Sequence, residues 1–250
     1  MSAVHVVILA AGKGSRMGAL GEGVPKWLLE VGPRTIADRQ LRAIEDAGDA
    51  VASTTVVTGH ARDRVEQFLD GRPGVECVYN PEYASLNNWF SVLIALRAID
   101  DGSAPVVVLN SDLFASAEWI SRFVADAADT VDEALIAVDA QRRLTDESMK
   151  VAAGGSQHAY LTAIGKAEVA DAVGEYVGML MAGGESLAEF RATLESFEGR
   201  EEHKDEWYER AVGLTAAGGS RWRLWTTPDS NWVEIDDDAD HALAVRLDAA

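Results

Sequence analysis

The amino-acid sequence predicts a three-layer, Rossmann-like α/β fold with a mostly parallel central sheet. An apolar run at residues 6–9 is bounded by small residues, which is typical of a strand buried on both faces. A glycine-rich stretch follows this run directly, and strand-like segments then alternate with amphipathic helical segments. The order β-α-β-α-β predicts parallel strands that are joined by right-handed crossovers.

The first half of the chain provides this alternation. Apolar residues recur at helical spacing over 35–47, and Gly48 is a plausible stop for that helix. The remaining segments are assigned in the same way, from β-branched or apolar runs for strands and from three-to-four-residue spacing for helices. They are strands at 54–58, 75–79, 105–109 and 134–138, and helices at 62–69, 92–99 and 117–127.

The stretch after the first strand carries the strongest signal of function. Alanines and glycines at 10–14 let backbone N–H groups approach a ligand closely, and Arg16 and Lys26 add positive charge. A loop of this kind suits a triphosphate. It is not a dinucleotide-binding loop, because Met17 stands at the sixth position of G-x-G-x-x-G. A Walker A motif is absent as well.

This stretch resembles the L-A-A-G-x-G-x-R-[ML]-(x)n-P-K signature of the nucleotidyltransferases with a GT-A-like fold. Here the signature stands as LAAGKGSRM at 9–17 and PK at 25–26. The resemblance implies an enzyme that joins a phosphorylated substrate to a nucleoside monophosphate taken from an NTP. It implies catalytic roles for Arg16 and Lys26, and nucleotide contacts from Leu9, Ala10, Ala11, Gly12 and Gly14.

Residues 80–91 resemble the N-x-x-Y-x-x-x-N-N-x-x-S segment of the bacterial phosphocholine cytidylyltransferases and their phosphonate-activating relatives. Buried amides of this kind bind a base edge or orient a substrate. The alternative is a capped loop with aromatic packing, since an asparagine is also a favoured helix N-cap. The resemblance implies CTP as the nucleotide. We expect nucleotide contacts from Asn80, Asn87 and Asn88, and acceptor contacts from Tyr83 and Trp89.

Two aspartates are the expected Mg²⁺ ligands, since this ion prefers carboxylate oxygens. Asp112 follows the strand at 105–109, and α/β sheets bind ligands beyond the carboxyl ends of such strands. The alternative for Asp112 is an N-cap of the next helix. Asp236 ends a segment that resembles the family's W-x-E-I-D sequence. Ser111, next to Asp112, is expected at the nucleotide.

The second half of the chain is expected to bind the acceptor. Short strands around glycine turns at 149–151, 159–164 and 174–180 predict a small antiparallel excursion, and they resemble the alkyl-phosphate and alkyl-phosphonate branch. In sugar-nucleotide members a lysine at the place of Lys166 holds the acceptor phosphate. We expect acceptor contacts from Lys166, Lys150 and Glu175, although Lys150 is equally explained as a solvated strand lysine. The other segments are helices at 187–197, 207–214 and 239–247 and strands at 221–226 and 230–236.

Composition narrows the class of protein. A net charge of −19 argues against binding to nucleic acid or to anionic membranes. No apolar run is long enough to span a bilayer, and no basic region precedes the first strand as in a signal peptide. The single cysteine fits a reducing compartment, so we expect a cytoplasmic protein. We expect one domain over 1–250, with a nucleotide-binding half at 1–139 and an acceptor-binding half at 140–250.

Three points stay open at this level. The acceptor is a phosphocholine-like alcohol phosphate, an aminoalkyl or hydroxyalkyl phosphonate, or a polyol phosphate. Aromatic residues are available for a cage around a quaternary ammonium. A sugar-1-phosphate nucleotidyltransferase using UTP or dTTP is the rival enzyme, and a catalytically silent nucleotide-binding regulatory protein is the rival of another class. A homodimer is left open, because exposed patches cannot be identified from the sequence.

Overall fold

The computed structural model describes residues 3–14, 23–99, 104–130, 133–167 and 169–249. Within these ranges the chain forms an α/β fold around a mixed nine-stranded sheet. The strands are β1 (Val4–Ala10), β2 (Glu30–Val31), β3 (Arg34–Thr35), β4 (Val51–Thr58), β5 (Val75–Tyr79), β6 (Val106–Asn110), β7 (Leu113–Phe114), β8 (Ala134–Asp139), β9 (Lys150–Gly154), β10 (Tyr160–Gly165), β11 (Ala172–Ala182), β12 (Trp222–Thr226) and β13 (Val233–Glu234). The helices are α1 (Ile36–Asp46), α2 (Arg62–Leu69), α3 (Asn88–Ala98), α4 (Ala117–Ala128), α5 (Gly184–Glu195), α6 (Tyr208–Gly218) and α7 (Asp238–Asp248).

The first half of the chain forms the parallel sheet that the sequence predicts. The order in the large sheet is β5-β4-β1-β6-β11-β8-β12-β10-β9, and β5, β4, β1 and β6 run parallel to one another. In β1, Ile8 lies opposite Val56 of β4 and Leu109 of β6. The carboxyl ends of β1 and β6 therefore lie side by side, which brings the glycine-rich loop next to Asp112.

Strand β11 takes a position that the sequence did not predict. Its first residues pair antiparallel with β9, as expected of the peripheral excursion, but residues 179–182 pair antiparallel with β6 in the centre of the sheet. Gly178, with φ of +80°, lies where the register between β11 and β8 shifts. The strand is thus longer than the predicted 174–180 and connects the two halves of the sheet.

Helices cover both faces of the sheet, as three layers require. Along β1, Val6 and Ile8 pack toward α1, α2, α4 and α7, whereas Val7 and Leu9 pack toward α3, α5 and α6. Each large apolar side chain buried in this way contributes roughly 1.5–3 kcal/mol of transfer free energy. Across the described ranges, no helix is long and apolar enough to cross a membrane.

Three boundaries matter for the site. Helix α3 starts at Asn88, four residues before the predicted start, because the side chain of Asn87 accepts the backbone N–H of Asn88. The predicted strand at 230–236 shrinks to β13, which pairs antiparallel with β7. The N-cap of α4 is Ser116, whose Oγ accepts the N–H of Trp119 at 3.2 Å. The N-cap alternative for Asp112 is therefore wrong.

Candidate active site

A cavity of about 200 Å³ opens at the carboxyl ends of β1 and β6; we call it the loop cavity. Its lining contains most residues that the sequence assigned to the nucleotide. Among the residues around it are Leu9, Ala10, Ala11, Gly12, Gly14, Lys26, Asn80, Tyr83, Asn87, Asn88, Asn110, Ser111 and Asp112. Among the described residues, no atom lies within 4 Å of a Cβ atom added at Gly12, so these residues leave the space above this backbone open.

Lys26 lies between the two aspartates that the sequence selected as metal ligands. Its Nζ donates to Oδ2 of Asp112 at 3.1 Å and to Oδ1 of Asp236 at 2.7 Å. The Lys26 side chain is only 14% exposed. Burial lowers the pKa of this ammonium, but Asp112 and Asp236 outweigh burial, so the pKa is raised and the charge is retained.

Short backbone pairing explains why residues 112 and 236 meet. Strand β13 pairs antiparallel with β7, and the N–H of Ile235 donates to the carbonyl oxygen of Asp112 at 3.0 Å. The N–H of Asp236 donates to Asp240, one of two aspartates of the capping box that starts α7. The backbone of both aspartates is thus held beside the short β7–β13 ladder, Asp112 just before β7 and Asp236 just after β13.

Gln40 fixes Lys26 relative to the same ladder. This fully buried amide on α1 accepts from Nε1 of Trp27 at 2.9 Å. Its Nε2 donates to the carbonyl oxygens of Asn110 and Leu113, both at 2.9 Å. One side chain therefore connects the segment that carries Lys26 with the loop that carries Asp112, and both polar atoms of its buried amide have hydrogen-bond partners.

The donor set here fits a hard divalent cation. Oδ1 of Asp112 is buried and has no hydrogen-bond partner in the part of the chain that the structure describes. In that same part, no group of three or more His, Cys, Asp or Glu side chains is arranged to hold a metal ion. The protein thus offers two carboxylates, which suits Mg²⁺, an ion that is commonly bound through one or two carboxylates plus substrate phosphates.

A second, larger cavity of about 580 Å³ adjoins the loop cavity and shares Asn88, Asn110 and Asp112 with it; we call it the acidic cavity. It contains Lys166 and Glu175, two of the three second-half residues assigned to the acceptor. The charged and aromatic residues around it are Asp112, Arg142, Arg143, Glu147, Lys166, Glu175, Tyr176, Trp207, Glu209, Trp232, Glu234, Asp236, Asp237 and Asp240.

Two carboxyl groups in this cavity have raised pKa values, that of the buried Glu209 and that of the half-buried Glu234. Burial, with a smaller contribution from Asp112, raises the pKa of Glu209 to about 7. Burial and then Asp112 also raise the pKa of Glu234, against a hydrogen bond from Asn110 Nδ2 at 3.3 Å that lowers it. Asn110 is held in turn by the hydroxyl of Tyr208, which donates to its Oδ1 at 2.9 Å.

The three predicted asparagines all have structural hydrogen bonds at the edge of the loop cavity. Asn80 donates to Ser91 Oγ at 2.9 Å and accepts from the N–H of Glu82. Asn87 is the N-cap of α3, and Asn88 Oδ1 accepts the N–H of Tyr208 at 3.0 Å. The segment therefore both caps a helix and lines the loop cavity, the two alternatives that the sequence left open. Contacts of these asparagines with a nucleotide base stay a prediction.

Trp89 requires a correction, because it lines neither cavity. Its side chain is 1% exposed and packs edge-to-face against Phe90 and Phe197 in the core. It therefore has no surface to offer an acceptor. Tyr83 lies in the loop cavity, with Lys13 Nζ 5.8 Å from its ring centroid, and so on the side assigned to the nucleotide.

The other predicted residues differ in position. Lys166 Nζ pairs with Glu147 at 3.2 Å within the acidic cavity. Lys150 Nζ instead donates to the carbonyl oxygen of Lys166 at 2.6 Å and lies in a separate surface depression with Lys166. Lys150 therefore does not line the acidic cavity, and it would affect an acceptor only by holding the backbone of Lys166. Arg16 lies outside the described residues.

The site also contains residues that the sequence did not select. Asn110 directly precedes the predicted Ser111 and Asp112, and Glu234 lies inside the W-x-E-I-D segment, so both were within reach of the motif argument. Glu209 is different, because no motif contains it. The sequence shows only a glutamate on the buried face of a helix, beside Tyr208 and Ala211. A buried acid without a motif is recognisable only once the cavity is seen.

A mixed sheet of this order, with a glycine-rich loop after β1 and a lysine between two carboxylates, has the architecture of the GT-A-like nucleotidyltransferases. Residues 6–204 match the MobA-like NTP transferase domain family, and the chain belongs to this family. The family resemblance inferred from the sequence is thus confirmed, together with the α/β fold class.

Individual relatives and a solved structure agree with this assignment. The chain is 30% identical over 249 residues to CMP-5'-(3-aminopropyl)phosphonate synthase of Streptomyces rubellomurinus, covering 96% of this chain and 38% of that protein. It is 30% identical over 116 residues to 2-aminoethylphosphonate cytidylyltransferase of Lancefieldella rimae, covering 46% of each. The chain thus spans less than half the length of these relatives. CTP:phosphocholine cytidylyltransferase from Streptococcus pneumoniae has the same fold, with a TM-score of 0.77, 16% identity, and coverage of 98% of this chain and 99% of that chain.

The burial of Glu209 gives a pH-dependent prediction. Its folded-state pKa of about 7 exceeds the ordinary value of 4.5, so folding takes up a proton between these pH values and stability falls as pH rises through them. Glu209→Gln removes that penalty. We expect its free energy of unfolding to exceed the wild-type value by about 3 kcal/mol at pH 8 and by less than about 1 kcal/mol at pH 5.

Urea unfolding at both pH values measures this difference. Glu206→Gln is the matched control, because the same charge is removed at a position that lines neither cavity. An advantage of Glu209→Gln that is equal at pH 5 and pH 8 would contradict the assignment of a raised pKa to Glu209.

Proposed function

We propose that this protein is a Mg²⁺-dependent cytidylyltransferase that transfers CMP from CTP to a small phosphorylated alcohol or alkylphosphonate and releases pyrophosphate. The observation that carries the proposal is the position of Lys26, between Asp112 and Asp236 where the loop cavity meets the acidic cavity. The loop cavity would take the triphosphate and the acidic cavity the acceptor. Membership of the NTP transferase family supports this division.

The chemistry needs no protein nucleophile. An ionised phosphate or phosphonate oxygen of the acceptor attacks the α-phosphorus of CTP in line. The new P–O bond joins the acceptor to CMP, and the bond from the α-phosphorus to the bridging oxygen breaks, so that its electron pair leaves with pyrophosphate. Both reactants are anions, so the site must supply cations and oriented amides to the transferring group.

Lys26 is the cation that the described part of the site offers at the reaction centre. Its ammonium would contact the α-phosphate and the attacking oxygen as charge builds between them. We assign Arg16 to the β- and γ-phosphates on the family resemblance. In the acidic cavity, Lys166 would hold the phosphate or phosphonate of the acceptor. Backbone N–H groups of residues 10–14 would bind phosphate oxygens directly.

Asp112 and Asp236 would hold Mg²⁺ when the nucleotide is bound. The unpartnered, buried Oδ1 of Asp112 is the atom that favours this assignment. The ion would neutralise phosphate charge. The aspartates themselves keep Lys26 protonated and oriented, because each accepts from its ammonium.

CTP and the acceptor class rest on the relatives. Two of them are named for cytidylyl transfer to aminoalkylphosphonates, or for the CMP-phosphonate product of such a transfer. The partners we propose are CTP and a small anionic acceptor, and not nucleic acid or membrane, in keeping with the net charge of −19. A cytoplasmic location stays a prediction, and whether the protein is a homodimer stays open.

A grid of CTP, UTP and dTTP against phosphocholine, alkylphosphonates and sugar 1-phosphates tests the proposal through pyrophosphate release. We expect release with CTP and a phosphonate or phosphocholine only. Release with UTP or dTTP and a sugar 1-phosphate would establish the rival enzyme. Nucleotide binding without release under any combination would establish a silent regulatory protein.

Lys26→Ala is expected to lower turnover by about two orders of magnitude or more, the scale of one preorganised transition-state charge. Steady-state pyrophosphate release under saturating substrates measures kcat. Lys204→Ala is the control, since the Lys204 side chain pairs with Glu201 at the surface and lines neither cavity. A Lys26→Ala enzyme that keeps its turnover would remove Lys26 from the mechanism.

Asp112→Asn is expected to raise the Mg²⁺ concentration for half-maximal activity by at least about tenfold, because it removes a charged oxygen ligand. A Mg²⁺ titration of the initial rate measures the shift. Asp238→Asn is the control, because Asp238 starts α7 near Asp236 without lining either cavity. A titration curve identical to that of the wild type would exclude Asp112 as a ligand.

A further inference from the structure

An arginine outside both cavities contacts every chain segment that supplies Lys26, Asp112 or Asp236, three residues that we call the charge cluster. It is Arg39 of α1, whose side chain is 15% exposed. Arg39 lines neither the loop cavity nor the acidic cavity. Any effect of this side chain on the reaction would therefore act through the segments that it holds.

The first contact is with the segment that carries Lys26. Nη2 of Arg39 donates to the carbonyl oxygen of Val31 at 3.4 Å. Val31 belongs to the hairpin of β2 and β3, which follows the single helical turn of Lys26–Leu28. The N–H of Leu29 closes that turn on the carbonyl oxygen of Lys26 at 3.1 Å. A displacement of the hairpin would therefore move the backbone of Lys26.

The second contact is with α7, which starts just after Asp236. Arg39 forms an ion pair with Asp248, the last residue of α7, and the Asp248 side chain is 18% exposed. The same carboxylate lies against Gly32 in the β2–β3 hairpin, where an added Cβ atom would collide with it and φ is +64°. The end of α7 is thus fastened both to α1 and to the hairpin.

The third contact is with the short ladder that brings Asp112 and Asp236 together. The guanidinium of Arg39 lies 4.7 Å from the ring centroid of Phe114, a buried residue of β7. Phe114 lies opposite Val233 of β13 in this ladder. A cation over the face of an aromatic ring is attracted to it, so this stack holds α1 against the ladder. All three segments of the charge cluster thus converge on one guanidinium.

Stability alone does not explain an arginine at this position. Taking a guanidinium and a carboxylate out of water is costly, and well-packed apolar side chains often replace such a pair without loss. The Nε of Arg39 is moreover buried without a hydrogen-bond partner among the described residues. Apolar side chains lack direction, whereas the ion pair and the hydrogen bond fix the guanidinium at defined atoms of α7 and the hairpin.

We propose that Arg39 is a positioning residue of the transfer reaction, which keeps Lys26, Asp112 and Asp236 at the separations that the reaction and its Mg²⁺ require. This inference rests on the proposed cytidylyl transfer and adds to it a residue that touches neither substrate. Preorganised charges lower a barrier only while they are held in place. Loosening the three segments therefore lowers kcat and weakens the metal-dependent affinity for the nucleotide.

Arg39→Met tests this inference, because it keeps a long apolar stem and removes the charge with its donors. The assay uses CTP, saturating Mg²⁺ and either 2-aminoethylphosphonate or phosphocholine, whichever the wild type uses faster. We expect kcat of pyrophosphate release to fall about tenfold or more, since small misplacements of reacting groups are costly. KM for the acceptor is expected to change by less than about threefold, because Arg39 does not line the acidic cavity.

Calorimetric titration with CTP provides a readout that needs no turnover. In Mg²⁺ we expect Kd for CTP in Arg39→Met to rise about threefold or more, because the carboxylates that would hold the ion are less well placed. In EDTA we expect the Kd values of variant and wild type to agree within about twofold, since without the ion these carboxylates do not hold the nucleotide.

Two further variants separate positioning from stability. Asp248→Asn removes the other half of the ion pair, so it is expected to lower kcat as well. Combined with Arg39→Met, it is expected to add less than about twofold, because both changes break one interaction. Arg97→Met is the matched control, because it breaks the ion pair of Arg97 with Glu198 at the surface, outside both cavities. We expect it to behave as wild type in both assays.

The other outcomes also decide the matter. A kcat, or a Kd for CTP in Mg²⁺, that equals the wild-type value in Arg39→Met would overturn the inference. Equal weakening of CTP binding in Mg²⁺ and in EDTA would show a general structural role and overturn it as well. If Arg39→Met does not fold, Asp248→Asn decides on the same criteria. Absence of pyrophosphate release with every acceptor in the wild type would reject the proposed cytidylyl transfer, and this inference with it.

Discussion

The ion pairs of Lys26 with Asp112 and Asp236 are the interaction on which the rest of the site depends. Along the chain, Lys26 is separated from Asp112 by 86 positions and from Asp236 by 210 positions. The ammonium offsets the repulsion between the two carboxylates that it joins. The pairs also keep the lysine charged despite its burial. The arrangement thus stabilises the fold locally, and among the described residues it leaves Oδ1 of Asp112 without a hydrogen-bond partner.

Backbone and amide contacts hold this cluster. Gln40 fixes the carbonyl oxygens at both ends of the turn that contains Asp112, and the short β7–β13 ladder brings Asp236 alongside. A buried amide with three hydrogen bonds is more rigid than a solvated side chain, because few replacement partners are available when a bond breaks. The geometry around Lys26 is thus preorganised, which is the condition under which a charge lowers a reaction barrier.

Much of the fold and part of the site followed from the sequence, because their signals are local. The strand 75–79 and the helix 62–69 have the predicted bounds, and Asp112 and Asp236 come together beside Lys26 as the motif argument required. The central position of β11 was not predictable, because antiparallel insertion between β6 and β8 is a long-range pairing that leaves no periodic pattern. The assignment of Trp89 to the acceptor was wrong for a related reason. The sequence around an aromatic residue in a polar segment does not show whether its side chain faces a cavity or the core.

The irregularity in β11 explains how one strand belongs both to the sheet and to the site. At Gly178, a Cβ atom would lie 2.9 Å from Asn110 Nδ2 and 3.1 Å from Glu234 Oε1. Only a residue without a side chain lets these two groups meet, and the positive φ there also favours glycine. The shift in register at this point separates the part of the strand that pairs with β9 from the part that pairs with β6. Polar groups thus gather at an interruption of the sheet, because a regular ladder would have filled that space with side chains.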